Sequence, residues 1–264
     1  MARIAIIDLD SVMFSIAHPE KKLDENNEPV REDNKFVYLD KSLEQMHESA
    51  DVIMTDILTK SEATGYIAFI KGKGNFRYTT DSEYKANRPK ESPEWWAPVK
   101  KYMMLHWNAV EVNGIEVDDA VNITRLRIED SFIYAIDNDL LGLEGTHYNW
   151  RKNAWITVDE SEAEYKFWSD MITGQKGDNV KGIPGKGPRF VEKLFLNIDN
   201  VFLNINDSPS LRTLVLEEYI NTFGEYEGIK QFYKNYVDLK ILEDYDGFII
   251  PEISKLNRNV EELF

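Results

Sequence analysis

Acidic side chains gather at the ends of apolar runs. "RIAII" (3–7) leads straight into Asp8, with Asp10 two places on. "FIYAI" (132–136) leads into Asp137 and Asp139, and "AVEVNGI" (109–115) into Glu116, Asp118 and Asp119. Asp178 lies inside "TGQKGDNVKGIPGKGP" (173–188), a stretch rich in glycine. Near-continuous apolar runs are what strands look like when both faces of a parallel sheet are covered. Ligands of open α/β sheets bind outside the carboxyl ends of such strands. Three strand ends would therefore deliver seven carboxylates to one place. Two carboxylates about 4 Å apart repel by roughly 4 kcal/mol at an effective dielectric near 20. Divalent cations relieve that repulsion, and oxygen-only donors suit Mg²⁺ or Mn²⁺. Paired ions in an acidic cleft suit phosphodiester hydrolysis. Each acid also has a plainer role on its own. Asp-x-Asp after a strand can cap a helix, and Glu-Val-Asp-Asp can be an ordinary acidic first turn. Their joint placement at three strand ends favours chemistry.

The elements that must position these acids follow from the pattern. "RIAII", "YIAFI" (66–70), "AVEV" (109–112) and "FIYAI" predict buried strands. Residues 38–60 have helical spacing, with Leu43, Met46, Val52, Ile53, Ile57 and Leu58 toward one side, and 117–130 predict a second helix. The alternation implies an α/β fold with a mostly parallel central sheet flanked by helices. After about residue 160 the strand signal fades. "SEAEYKFWSDMITG" and "GPRFVEKLFL" predict helices on either side of the glycine-rich stretch, and 210–242 predict helices broken near Gly224 and Gly228. The expected division is an α/β part over 1–160 and a helical part over 161–264. Residues 77–100, with "NRPKESPEWWAPVKK", are too polar and Pro-rich for core and predict a protruding loop or arch.

Charge and composition narrow the classes. Net charge is −16, yet residues 71–101 carry a local +4 and residues 174–195 a local +3. Two basic islands on an acidic body suit contact with a polyanion at defined places, although such runs are also ordinary solvated faces. There are no cysteines, which excludes disulfides and thiolate metal sites, and His18, His47, His106 and His147 are scattered. No apolar run reaches the length of a membrane span, so no membrane partner is expected. The N-terminal apolar run is cut short by acids and is not a secretory signal, so the expected location is cytoplasmic.

The order of motifs carries a resemblance. "IIDLD", "FRYTTDSEYKANR", "GIEVDDAV", "AIDNDLL" and "TGQKGDNVKGIPGKG" follow one another as in the 5′ nucleases, the flap endonucleases and 5′–3′ exonucleases, most like the bacteriophage forms. No single motif is specific, but five in this order are. The resemblance implies a resolvase- or PIN-like sheet domain, a helical arch, and a helix–three-turn–helix (helix-hairpin-helix) element at about 174–195. It implies DNA with 5′ ends or flaps as substrate, including RNA primers, in phage replication or recombination within an infected host's cytoplasm. It also implies a monomer that works beside replication proteins such as a single-strand binding protein. Asp8, Glu116, Asp118 and Asp119 would serve a first Mg²⁺ or Mn²⁺, and Asp137, Asp139 and Asp178 a second. Lys85 and Arg88 would reach the scissile phosphate as fixed cations. Arg77 and Tyr84 would contact DNA, as would Lys181, Gly182, Gly185, Lys186, Gly187 and Arg189 in the hairpin. There glycine lets backbone approach phosphate and the next helix offers its N-terminus. The hairpin can also hold K⁺ through main-chain carbonyls. Trp95 and Trp96 would either stack on unpaired bases or pack against the arch. A Walker-type loop is excluded, because Gly185-Lys186 is followed by Gly187 rather than Ser or Thr.

Two positions depart from the family pattern. Ile70 or Lys71 stands where an Asp is expected at the end of the second strand, and Gln175 replaces the first Asp of the glycine-rich stretch. The second metal site is therefore expected to be weakened. The alternative is a catalytically impaired relative that binds branched DNA. A small ribonuclease of the related sheet class would not need the long helical tail.

Overall fold

The computed structural model describes residues 3–89, 91–201 and 210–255. Lys90, in the expected arch, and residues 202–209 and 256–264 of the expected helical part lie outside them. β1 (Ile4–Asp8) is buried along its whole length and passes directly into α1 (Leu9–Ile16). Two small antiparallel ladders follow: β2 (Glu20–Lys21) with β5 (Tyr38–Leu39), and β3 (Arg31–Glu32) with β4 (Lys35–Phe36). The predicted helix from 38 begins later, as α2 (Leu43–Lys60), because Ser42 and Gln45 form a capping box. Its buried stripe is Met46, Ala50, Met54, Ile57 and Leu58, while Leu43 and Val52 stay exposed.

The chain then builds β6 (Gly65–Lys71), a single turn α3 (Arg77–Thr80), α4 (Trp96–His106), β7 (Val110–Val112), α5 (Val117–Arg127) and β8 (Ser131–Ala135). A 3₁₀ turn at Leu140–Gly142 precedes β9 (Gly145–Asn149) and β10 (Ala154–Val158). The six-stranded sheet has the order β10-β9-β8-β1-β6-β7, parallel throughout except for β10 at one edge. This is the mostly parallel sheet expected. The last two strands escape the apolar-run criterion for a physical reason. His147 and Asn149 are buried inside β9, and β10 alternates between exposed and half-buried positions.

Successive side chains of a strand face opposite sides. Ala5 and Ile7 pack with α1, α2 and α4 on one face, and Ile4 and Ile6 with α5 on the other. α4 is thus not part of a protruding arch: Val99 and Met103 are buried in the first core. The described residues between 81 and 95 hold turns and bends, with no helix or strand among them.

The remaining elements are α6 (Glu160–Thr173), a two-residue ladder of β11 (Gly174–Gln175) with β12 (Val180–Lys181), α7 (Pro188–Val201), α8 (Leu211–Phe223) and α9 (Glu225–Leu239). Trp168, Met171, Val191, Val215, Tyr219 and Phe232 form their shared core. Gly224, at φ 83, separates α8 from α9 as expected. Gly228 does not break the helix. It lies within α9, where a Cβ would come within 2.7 Å of the Ile220 Cα, so it permits close packing of α8 on α9. The sheet edge beside β6 is completed by the C-terminal segment: Ser254 exchanges two backbone hydrogen bonds with Tyr66. Among the described residues no helix is long and apolar enough to cross a membrane.

Candidate active site

The parallel strands bring their carboxyl ends to one edge. Asp8 ends β1 and caps α1, its side chain accepting from the Asp10 amide at 2.9 Å and the Ser11 hydroxyl at 2.8 Å. Asp10 accepts from the Lys71 amide at the end of β6, 3.0 Å away. Glu116 is the N-cap of α5, Asp118 lies in its first turn, and Asp137 and Asp139 follow β8. Asp178 arrives from the loop between β11 and β12. A cleft of about 1320 Å³ is lined by Asp8, Asp10, Asp118, Asp137, Lys85 and Arg88, among others.

These acids divide by partner. Glu116 pairs with the Lys85 ammonium, which also lies 3.5 Å from Asp178. Arg88 donates to Asp178 at 2.7 Å. Backbone contacts hold the two segments together. The Lys85 amide donates to the Asp178 carbonyl at 2.8 Å, Arg88 Nε to Gly177 at 3.1 Å, and Asn179 reaches back to Glu83 at 2.8 Å. Lys85 and Arg88 therefore stand among the acids. Burial works against the Lys85 ammonium, yet Glu116 and Asp178 hold its pKa above the ordinary value. Burial likewise works against ionised Glu116, but Lys85 and Arg77 keep its pKa below the usual range.

Asp8, Asp10, Asp118 and Asp137 form no ion pair among the described residues. Burial, reinforced by Asp10, pushes Asp8 up to about 7. Burial also raises Asp10 and Asp137, and raises Asp118 strongly with the help of Asp8 and Asp137. Mutually repelling oxygen donors that form no ion pair have the chemistry of a hard divalent-ion site. Among the described residues, however, no three acidic or histidine side chains close on one point as a finished cage. The donor chemistry fits such an ion, with the carboxylates lining a wall of the cleft.

Three expected roles are corrected. Asp119 is fully buried and both its oxygens are engaged: Arg77 donates to them at 2.6 and 2.9 Å, and the amides of Glu116 and Leu242 at 3.0 and 2.9 Å. It cannot also ligate a metal in this arrangement. Arg77, 1% exposed, joins α5 to the end of α9 by donating to the Val237 and Lys240 carbonyls as well, and is shut off from DNA. Tyr84, 2% exposed, points its hydroxyl at Glu116 (2.9 Å) and Asp178 (3.1 Å), so it braces two acids instead of contacting DNA. A phenol has one proton, which these carboxylates share.

No family model matches the chain. It is 27% identical over 165 residues to a 5′-3′ exonuclease of Buchnera aphidicola subsp. Schizaphis graminum, covering 55% of this chain and 58% of that protein. It is 28% identical over 154 residues to a 5′-3′ exonuclease of Mycoplasmopsis pulmonis, covering 52% of each. The chain thus spans only about half the length of these curated relatives. Its fold matches bacteriophage T5 flap endonuclease, solved with DNA and metal ions, at a TM-score of 0.60 and 16% identity, over 90% of this chain and 88% of that one. The chain is thus similar in sequence to 5′-3′ exonucleases and shares the fold of a flap endonuclease. The fold is shared also with the catalytic core of Rad2 bound to DNA, at a TM-score of 0.52 and 11% identity, over 99% of this chain and 86% of that one.

Asp139 has partners that its sequence context does not signal. Lys166 donates to Asp139 at 3.2 Å and to Asp170 at 2.6 Å, and the Gln175 amide donates to the same two carboxylates at 2.8 and 3.0 Å. Burial works against Lys166, but Asp170 and Asp139 hold its pKa above the ordinary value. Lys166 and Asp170 are four residues apart on α6, a spacing that reads as an ordinary surface pair. The only sequence signal for their role is that α6 runs directly into the Gln175 loop.

The hairpin glycines have separate jobs. Gly182 sits where a Cβ would lie 2.2 Å from the Ile172 carbonyl oxygen, so it lets β12 approach the end of α6. Gly185, at φ 76, turns the chain, and a Cβ on it or on Gly187 would meet nothing within 4 Å. Lys181, in β12, and Arg189, in the first turn of α7, are exposed. Lys186 folds back on Glu218 and donates to the Thr222 hydroxyl at 3.0 Å. Trp95 and Trp96 pack around Phe14 on the first core, with ring centroids 5.6 and 5.5 Å from it.

Proposed function

We propose that the chain is a divalent-metal-dependent 5′ nuclease that hydrolyses phosphodiester bonds of DNA at free 5′ ends and 5′ flaps. The carrying observation is the set of carboxylates at the strand ends, buried Asp8, half-buried Asp10 and Asp118, and exposed Asp137, which form no ion pair among the described residues and share an open cleft with Lys85 and Arg88. The relatives' names, and structural neighbours solved with DNA and metals, support the same reading. Asp8, Asp118 and Asp137, aided by Asp10, would hold Mg²⁺ or Mn²⁺. Such an ion would act as a Lewis acid on the phosphoryl oxygen and favour attack by water. The chain's own cations supply the rest. Lys85 and Arg88 would exchange part of their contact with Glu116 and Asp178 for the scissile phosphate and stabilise charge developing there. Lys181, and Arg189 in the first turn of α7, would grip duplex phosphates without reading sequence. A K⁺ ion at the Gly182–Gly187 turn, action on RNA primers in phage replication beside a single-strand binding protein, a monomeric state and division near residue 160 belong to this reading.

The test is cleavage of a 5′-flap DNA in Mg²⁺ and, separately, in Mn²⁺. Products carrying a 5′-phosphate are expected, with loss of at least about 100-fold in rate on Lys85→Ala, the scale seen when one transition-state charge donor is removed. Retained DNA binding with no cleavage in either metal would instead favour a structure-specific binding protein. The lysine and amide already bonded to Asp139 are the observation on the side of that second reading.

A further inference from the structure

Asp139 and Asp170 face one another across a gap suited to a cation, beside the larger cleft. An adjoining cavity of about 420 Å³, which shares Asp118, Asp139 and Asp178 with the cleft, is lined by both, together with Lys166 and Gln175. The chain fills the gap itself. One ammonium and one amide each bridge the same two carboxylates, at 2.6–3.2 Å. The ammonium is held there by packing as well as by charge. Its aliphatic stem crosses Gly142, where a Cβ would come within 2.3 Å of the Lys166 Cδ. A dication entering would meet a fixed positive charge, two amide protons, and one oxygen on each carboxylate, Asp139 Oδ1 and Asp170 Oδ2, that already accepts from both Lys166 and Gln175. Gln175 brings an oxygen, but its nitrogen is the atom turned toward the acids.

We propose that Lys166 and Gln175 close the Asp139–Asp170 position to divalent metal, so that the chain works with one ion beside a resident ammonium. This rests on the nuclease reading above. Lys166 is then the side chain that sets the ion count and supplies a fixed charge where a second ion would otherwise bind.

The experiment counts Mn²⁺ bound to the full chain by electron paramagnetic resonance of the free ion, with flap cleavage measured in parallel. The wild-type chain should bind one ion, and the Lys166→Met/Gln175→Asp double variant two. Gly142→Ala, which displaces the Lys166 stem while keeping its charge, should admit a second ion at least about tenfold more weakly than the double variant does. It serves also if the double variant fails to fold. Two ions of similar affinity in the wild-type chain would overturn the inference and leave the nuclease reading standing. A single ion in both folded variants would overturn it too, because Lys166 would then not be what closes the position. No bound ion and no cleavage in the wild-type chain would remove the nuclease reading and the inference with it.

Discussion

At the scale of residues, sequence position and chemical role part company most clearly at Arg77 and Asp119. Arg77 sits in a basic island that suggests a solvated, phosphate-seeking face, and Asp119 in a run of acids that suggests a ligand. The structure pairs them, out of water. Only one clue was available beforehand: Asp119 stands three places after the Glu116 cap, where a carboxylate commonly reaches back to the cap amide. Arg77→Met should cost about 3–5 kcal/mol, because it leaves the Asp119 carboxylate buried without its partner. Thermal unfolding of the purified variant checks this. A loss under about 1 kcal/mol would mean the pair is not the joint between α5 and α9 that its geometry describes. Lys166 and Asp170 were hidden for the opposite reason. A lysine and an aspartate four apart on a helix are usually a solvated pair of small energy, and nothing local marks that they meet Asp139.

At the scale of elements, much was legible because burial is written in runs. The strands that become β1, β6, β7 and β8 are near-continuous apolar stretches, and the acids that end them fall at one sheet edge. β9 and β10 were not legible, because His147 and Asn149 interrupt the run with polar groups that only the folded sheet buries. The arch reading failed for α4 on similar grounds: its flanking prolines and charges advertise a loop, while Val99 and Met103 anchor it in the core. Gly228 is the sharpest case. Glycine inside a helix costs stability against alanine in the abstract, so it read as a break. In place, it is what allows α8 and α9 to touch. Gly228→Ala should therefore destabilise by about 1–3 kcal/mol through overpacking against the Ile220 backbone. Chemical denaturation, with the helical signal followed in the far ultraviolet, reads this. A gain in stability would show that helix propensity outweighs the contact.

At the scale of the molecule, the site loads the fold with electrostatic cost. Asp8 has a folded pKa near 7 against an ordinary value of 3.8, so the folded state binds more protons than the unfolded chain between those limits. Stability conferred by the protonated form is complete at the acid end of that window and is lost as pH rises through about 7. The loss from Asp8 is up to about 4 kcal/mol, and Asp238, also raised to about 7 chiefly by burial, has the same sign. In EDTA the melting temperature should fall from pH 5 to pH 8, and Asp8→Asn should flatten that fall. Excess Mg²⁺ should do so as well, since a ligand bound only to the folded state stabilises it by mass action. A metal-free profile that rises with pH across this range would refute the reading of these acids. One further feature acts on the whole molecule. Ser254 and Ile253 lie along the flank of β6 that the short β7 leaves uncovered. This strap works as a hem: it ends the sheet with the chain's own backbone. Were it to peel away, Tyr66 would offer its amide and carbonyl to any passing extended chain, the open border from which sheets grow between molecules.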